Sequence, residues 1–141
     1  MNAQMNRTLE QVDGVIWPEP PADATRVVKT VHALRRKPIG MFTAEDLRIM
    51  LNQREGTLAL LPRTLDVLER NPLAEGDFYP GDLLTAALTV PEGEWAAHPE
   101  LATRLRAVIE KLSQRDDLDI YLPPDDEIWS RIAELKSTGV L

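Results

Sequence analysis

Asn71-Pro72-Leu73-Ala74-Glu75-Gly76-Asp77-Phe78-Tyr79-Pro80-Gly81-Asp82-Leu83-Leu84 lies at the middle of the chain and divides it. Asn71-Pro72 stops the helix before it, because a proline ring pushes the preceding residue out of the α region. Gly76 and Gly81 permit backbone angles that a Cβ would forbid. Pro80-Gly81-Asp82 reads as the entry to a new helix, with Asp82 at its positive end, where an anion is favoured. Phe78 and Tyr79, set between these breakers, are expected to drop between helices and lock the loop. Gly76, Phe78, Tyr79, Pro80 and Gly81 therefore form a structural loop, and Glu75, Asp77 and Asp82 are the charges it carries.

Outward from this loop the pattern is helical on both sides. Towards the N-terminus, Leu61, Leu65 and Leu68 keep an i, i+4, i+7 stripe flanked by Val67, with Pro62 in the first turn of that helix. Before it, Thr43-Ala44-Glu45-Asp46 is a hydroxyl cap followed by acids, and Leu47, Met50 and Leu51 make the buried face until Gly56. Val27, Val28, Val31 and Leu34 give an earlier stripe in a helix from about Asp23, capped by Asp23 or Thr25. Arg35-Arg36-Lys37 fills its last turn, Pro38 ends it, and His32 beside the stripe reads as a packed, hydrogen-bonded residue. Thr8-Leu9-Glu10-Gln11 has the form of a capping box, so a short helix runs to Gly14. Residues 1–7 are a ragged start. Val15-Ile16-Trp17 before Pro18-Glu19-Pro20-Pro21 is a rigid connector with Trp17 folded onto the body.

Towards the C-terminus, Leu83, Leu84, Ala87 and Leu88 form a stripe closed by Pro91, and Trp95 lies in a short segment before His98-Pro99. The helix from Pro99 is the most regular, with Leu101, Leu105, Val108, Ile109 and Leu112 on one face. Residues 113–127 read as an acidic loop or linker carrying Asp116, Asp117, Asp119, Asp125 and Asp126. A final helix, 128–138 with its start near Asp125, buries Ile128, Ile132 and Leu135 and ends at Gly139. Alternating apolar–polar runs are absent. The expectation is an all-α, compact single-domain bundle of about five to seven helices spanning residues 1–141.

Composition narrows the function. A chain of 141 residues can bury a core without cross-links, and it has no cysteine for a disulfide, a zinc-thiolate site or a thiol nucleophile. Met1 to Glu10 is polar, without the apolar core of a signal peptide, and no apolar run approaches a membrane span of roughly 20 residues. The expected location is the cytoplasm. Residues 71–127 hold thirteen Asp/Glu against four Lys/Arg, a net −9, whereas residues 1–70 and 128–141 each carry +1. That argues against nucleic acid, which requires a basic face. It suits a basic protein partner or a solvated acidic surface.

Catalytic constellations are missing. Serine occurs only at Ser113, Ser130 and Ser137, none in a nucleophile elbow, and the two His are far apart without a metal-binding pattern. Glu75, Asp77 and Asp82 could in principle do acid–base work as a small hydrolase, but acids beside Gly and Pro in a turn commonly cap backbone. The acids of 116–127 miss the spacing of a calcium loop. No enzyme activity, metal or cofactor is expected.

The ordered set of motifs resembles a known family. Thr8-Leu9-Glu10-Gln11 with Trp17, His32-Ala33-Leu34-Arg35-Arg36-Lys37-Pro38, Phe42 to Met50 with Gln53, the run Asn71 to Leu84, and Trp95 with Pro99-Glu100-Leu101 are similar to the immunity proteins of contact-dependent growth inhibition (CDI) systems. The resemblance covers about residues 5–112, and Glu75-Gly76-Asp77-Phe78-Tyr79-Pro80-Gly81-Asp82-Leu83-Leu84 is its most specific part. Val31 and the charged Arg54-Glu55-Gly56-Thr57 turn depart from it, and the tail after Asp116 matches nothing in it. The resemblance implies one partner, the toxic C-terminal domain of a surface-delivered protein, often a nuclease, bound and neutralised. It implies no nucleic-acid, membrane or small-molecule partner. Glu75, Asp77, Asp82, Asp116, Asp117, Asp119, Asp125 and Asp126 are the candidate partner-binding residues. The central loop remains open to two readings, a clasp or a binding loop, and a scaffolding or regulatory module unrelated to toxins is the alternative function.

Overall fold

Four helix starts, those after Thr8, Thr25, Thr43 and Asp126, carry hydroxyl or carboxylate caps. In the computed structural model, which describes residues 3–141, Thr8 accepts from Gln11 N and Gln11 returns the bond to Thr8 N, closing the expected capping box. Thr43 and Asp46 close a second box, and Thr25, rather than Asp23, caps the helix after the proline connector. Of the ragged start expected over residues 1–7, residues 1 and 2 lie outside the described residues, and Ala3–Asn6 form a 3-10 turn.

Among the described residues there are nine α-helices and no strand. They are α1 (Leu9–Asp13), α2 (Arg26–Leu34), α3 (Ala44–Asn52), α4 (Thr57–Arg70), α5 (Asp82–Leu88), α6 (Glu92–Ala97), α7 (Pro99–Ser113), α8 (Leu118–Tyr121) and α9 (Glu127–Ser137). The class is as expected. The count exceeds the five to seven foreseen because the Trp95 segment and part of the 113–127 stretch each coil into a short helix. No helix among the described residues is long and apolar enough to cross a membrane.

α5 is the centre of the packing. Six of its seven residues are buried, which marks a helix covered on all sides. α3 and α9 pack against it, α4 packs against both α3 and α7, and α6 braces α7. Leu47, Leu61, Leu65, Leu84, Leu105 and Leu135 are fully enclosed in one continuous core. Each buried side chain of this size stabilises the fold by about 1.5–3 kcal/mol.

Three local expectations are corrected. Only Val31 and Leu34 of the α2 stripe are buried; Val27 and Val28, in the first turn, are exposed and line a shallow groove with Trp17 and His32. Pro62 stands more than one turn inside α4, not at its start, so the Leu58 carbonyl has no N–H at 62 to take. Gly56 does not end α3. That helix stops at Asn52 through bonds from Arg54 N to Leu51 O and Glu55 N to Met50 O, with Arg54 itself left-handed at φ +55°. Gly56 instead precedes α4 at φ +66°, where a Cβ would fall 2.7 Å from Leu9 Cδ1.

Candidate functional site

The chain leaves α4 at Asn71, whose backbone is extended and whose side-chain oxygen accepts from Leu73 N at 3.0 Å. Glu75 and Pro80 then face each other across an isolated antiparallel bridge, and Gly81 N returns to Leu73 O at 3.1 Å. Gly81 takes φ +91°, which a glycine adopts without strain. Asp82, at the first residue of α5, folds its carboxylate back under the loop. It accepts from Gly76 N at 2.6 Å and from Phe78 N at 3.1 Å, with Tyr79 N at 3.4 Å. Thus the helix N-terminus holds an anion, and the anion holds the loop.

A second carboxylate reaches in from α3. Glu45 accepts from Asp77 N at 2.9 Å and grips the Arg48 guanidinium through two bonds of 2.6 Å. The hydrogen bond from Arg48 holds the Glu45 carboxyl below its usual range, against the opposing pull of burial, and Asp77 N–H adds to it. Reciprocally, Glu45 raises Arg48. Arg48 also lies 3.9 Å from Asp82 and stacks on the Phe78 ring at 4.3 Å from the centroid.

The aromatic lock expected of this loop is therefore replaced by a carboxylate lock. Phe78 is 68% exposed and Tyr79 46%. The loop's N–H groups have no ladder to join, so carboxylates from α3 and α5 occupy its inner side and the rings lie outside. Among the acids expected to contact a partner, Asp82 is 3% exposed and committed to backbone, so it offers no surface. Glu75 and Asp77 are exposed, Gly76 and Pro80 half-buried, and Gly81 buried.

The 113–127 stretch is more structured than a loop. Asp117 forks onto Arg115 through two bonds of 2.9 Å, which hold its carboxyl below the usual range. Asp126 caps α9 by accepting from Ile128 N at 2.9 Å. Asp116, Asp119 and Asp125 are exposed. Leu122 is buried in the core, and its Cδ2 would lie 3.9 Å from a Cβ at Gly81. Arg115 reaches Asn71 Oδ1 at 3.5 Å. These contacts bring the two acidic stretches, separated in sequence by α5, α6 and α7, side by side. Between Tyr79 and the first turn of α9 they border a groove of about 350 Å³, walled by Leu88, Ile128 and Arg131 among others.

A further cluster escaped the sequence reading. Arg35-Arg36-Lys37 is an anchoring run rather than a mere helix end. Arg35, 1% exposed, donates to Asp13 at 2.9 Å, to Glu55 at 2.7 Å and to Val15 O at 2.7 Å, and lies 4.6 Å from the Trp17 ring centroid. Arg36 binds Glu10 and Glu19, and Lys37 binds Asp46 at 2.6 Å. His32 hydrogen-bonds Pro18 O at 3.0 Å through Nδ1, with its ring edge-on to Trp17, the packed role expected of it. The acids at 10, 13 and 19 were the available signal. Glu10 and Asp13 are three apart in α1, but Glu19 lies in the proline connector, so only the tertiary fold shows that all three converge.

Among the described residues the buried charged ones are Arg35 and Asp82, and both are turned to contacts within the protein, with Arg35 Nε alone lacking a hydrogen-bond partner there. No group of three or more His, Cys, Asp or Glu among the described residues could hold a metal ion. The fold thus defines a small all-α protein whose unspent chemistry lies on its outside, chiefly as acids and exposed rings. The family of CDI immunity proteins matches residues 11–105, and the chain belongs to that family. The matched span takes in the Arg35 cluster and the whole Asp82 loop, and it stops before Asp116. No curated protein matches the chain.

Proposed function

We propose that residues 1–141 act as one immunity domain in the cytoplasm, binding the toxic C-terminal domain of the cognate CDI protein and neutralising it. The partner is a basic domain, a nuclease. The observation that carries this reading, beyond family membership, is the segregation of charge: nine of the thirteen acids of residues 71–127 lie in the stretches 75–82 and 116–127, which the fold brings side by side. A nuclease must present cations to phosphates, so an acidic inhibitor meets it with opposite potential and a raised encounter rate. Inhibition of this kind needs no bond chemistry from the immunity protein, only occupancy of the toxin's working face.

The test is to express the chain with the C-terminal fragment encoded immediately upstream. A toxic fragment, rescue of growth by the chain and a one-to-one complex are the expected results. A fragment that is toxic but neither bound nor neutralised rejects the proposal, and leaves an acidic helical module with some other partner.

A further inference from the structure

The groove between Tyr79 and α9 has an unbalanced character. Its walls include the exposed Tyr79 ring with Thr85 and Thr89, over a floor formed by the buried Leu88 and Ile128, and its rim carries Asp126 and Glu127. One cation lines it, Arg131, and that guanidinium is spent: Nε donates to Leu88 O at 2.6 Å, Nη2 to Val90 O at 3.3 Å and Nη1 to Glu134 at 3.0 Å. On the acidic side, Asp126 commits one oxygen to the α9 cap. Glu127 and the neighbouring Asp125 are exposed. An apolar trough beside uncompensated carboxylates fits a side chain with an aliphatic stem and a cationic head.

We propose that this groove seats a Lys- or Arg-bearing segment of the toxin domain, a proposal that rests on the immunity reading above and assigns its anchor. The stem lies along the exposed Tyr79 ring while the head reaches Glu127, with the exposed Asp125 two residues before it adding to the negative field. The Tyr79 ring adds a face on which a guanidinium stacks. Phe78, adjacent and 68% exposed, extends the apolar contact. Tyrosine and arginine are enriched where interface energy concentrates, and buried aromatic anchors with a charged rim are the usual arrangement. A second groove, at Trp17, Val27 and Val28, includes the Glu55 carboxylate, but Arg35 already pairs with that group at 2.7 Å.

The experiment measures association and dissociation of the full chain and the upstream-encoded toxin domain across a salt series. Tyr79→Ser is compared with the double variant Asp125→Lys/Glu127→Lys, and Val28→Ser serves as a surface control. All four side chains are exposed, and thermal melting checks that each variant stays folded. The charge variant is expected to slow association by about tenfold and flatten its salt dependence. Tyr79→Ser is expected to speed dissociation by about 30-fold. Val28→Ser should leave both rates unchanged.

If the parent chain binds and both groove variants match it within about twofold, the groove is wrong while immunity stands. If Tyr79→Ser weakens binding but charge reversal does not, the occupant is not basic and the proposal falls. A change in the free chain's own oligomeric state, with toxin binding intact, would assign the groove to a second copy and overturn it too. Failure of the parent chain to bind rejects the immunity reading, and the occupant with it.

Discussion

The Asp82 carboxylate lies 2.6 Å from the backbone nitrogen of Gly76, six residues earlier, and closes the central loop from beneath. The same carboxylate takes Phe78 N, so one side chain satisfies two turn donors and sits at the start of the most buried helix. Asp82→Ala removes a two-oxygen acceptor from a site where it is 3% exposed. We expect a loss of about 2–3 kcal/mol, with Asp82→Asn intermediate because one acceptor oxygen survives. Urea unfolding checks this. A loss below about 0.5 kcal/mol would mean that water replaces the carboxylate without cost.

Gly76 is held by space rather than by dihedral angle. A Cβ there would fall 2.5 Å from Glu45 Oε1 and 3.1 Å from Asp82 Oδ2. Gly76→Ala must displace both carboxylates that close the loop, at about 1–3 kcal/mol. Gly93, in α6, meets nothing within 4 Å, so Gly93→Ala should instead gain about 0.5 kcal/mol from helix propensity. Opposite signs in paired melting curves are the expected outcome, and equal losses would count against the steric account.

Arg54 occupies the left-handed position that ends α3, at φ +55°, where glycine is the usual residue. Its side chain is exposed. Arg54→Gly should therefore stabilise by about 0.5–1 kcal/mol, the relief of the Cβ clash less the extra entropy of the unfolded chain. A destabilised variant would show that the arginine does something its surroundings do not reveal.

Helix type, caps and core faces were legible wherever local rules act alone. Thr8, Thr43 and Asn71 behave as their spacing says, and the α7 stripe is buried as its period requires. What was not legible depends on distant partners. Phe78 reads as a core residue from hydropathy, but Glu45, more than thirty positions away, already fills the inner side of the loop beside Asp77. Val27 shares a helix face with Val31, yet nothing in the pattern says where the neighbouring elements stop covering that face. Asp82 reads equally well as a surface acid and as a clasp until Gly76 N is placed beside it. The buried Arg35 is the same case: a basic run looks like a helix end until Asp13 and Glu55 arrive from two other segments.

That arginine carries a prediction of its own. Three acceptors on two segments share one planar fork, a geometry lysine cannot reproduce. Arg35→Lys and Arg35→Met should each cost about 2–3 kcal/mol, discounted from a fully buried pair because Asp13 and Glu55 retain access to water. The loss should be local as well as global. With Val15 O and the Trp17 ring released, the connector over residues 14–20 should become a site of limited proteolysis while the α5 core stays protected. Uniform cleavage throughout the chain would contradict this.

Glu45 and Arg48 set the acid response of the loop. Arg48 holds the Glu45 carboxyl below its ordinary value of 4.5, so the folded state binds this proton less readily than the unfolded chain. Between the lowered folded value and 4.5 the unfolded state holds more protons, and stability rises with pH there. The contribution is complete above that window and is lost as pH falls through it. Glu45→Gln keeps an oxygen for Asp77 N–H but discards the charge opposite Arg48. At pH 7 it should cost about 1–2 kcal/mol, and the gap from the parent should close as the solution is acidified. The variant retains some acid sensitivity, because Asp13 and Asp117 are lowered too, by the Val15 N–H and Arg35 in one case and by Arg115 in the other. Urea midpoints at neutral pH and at steps through the carboxylate range decide the matter. Curves that converge towards low pH place the stabilisation in the Glu45–Arg48 charge pair, whereas parallel curves would place it in packing alone.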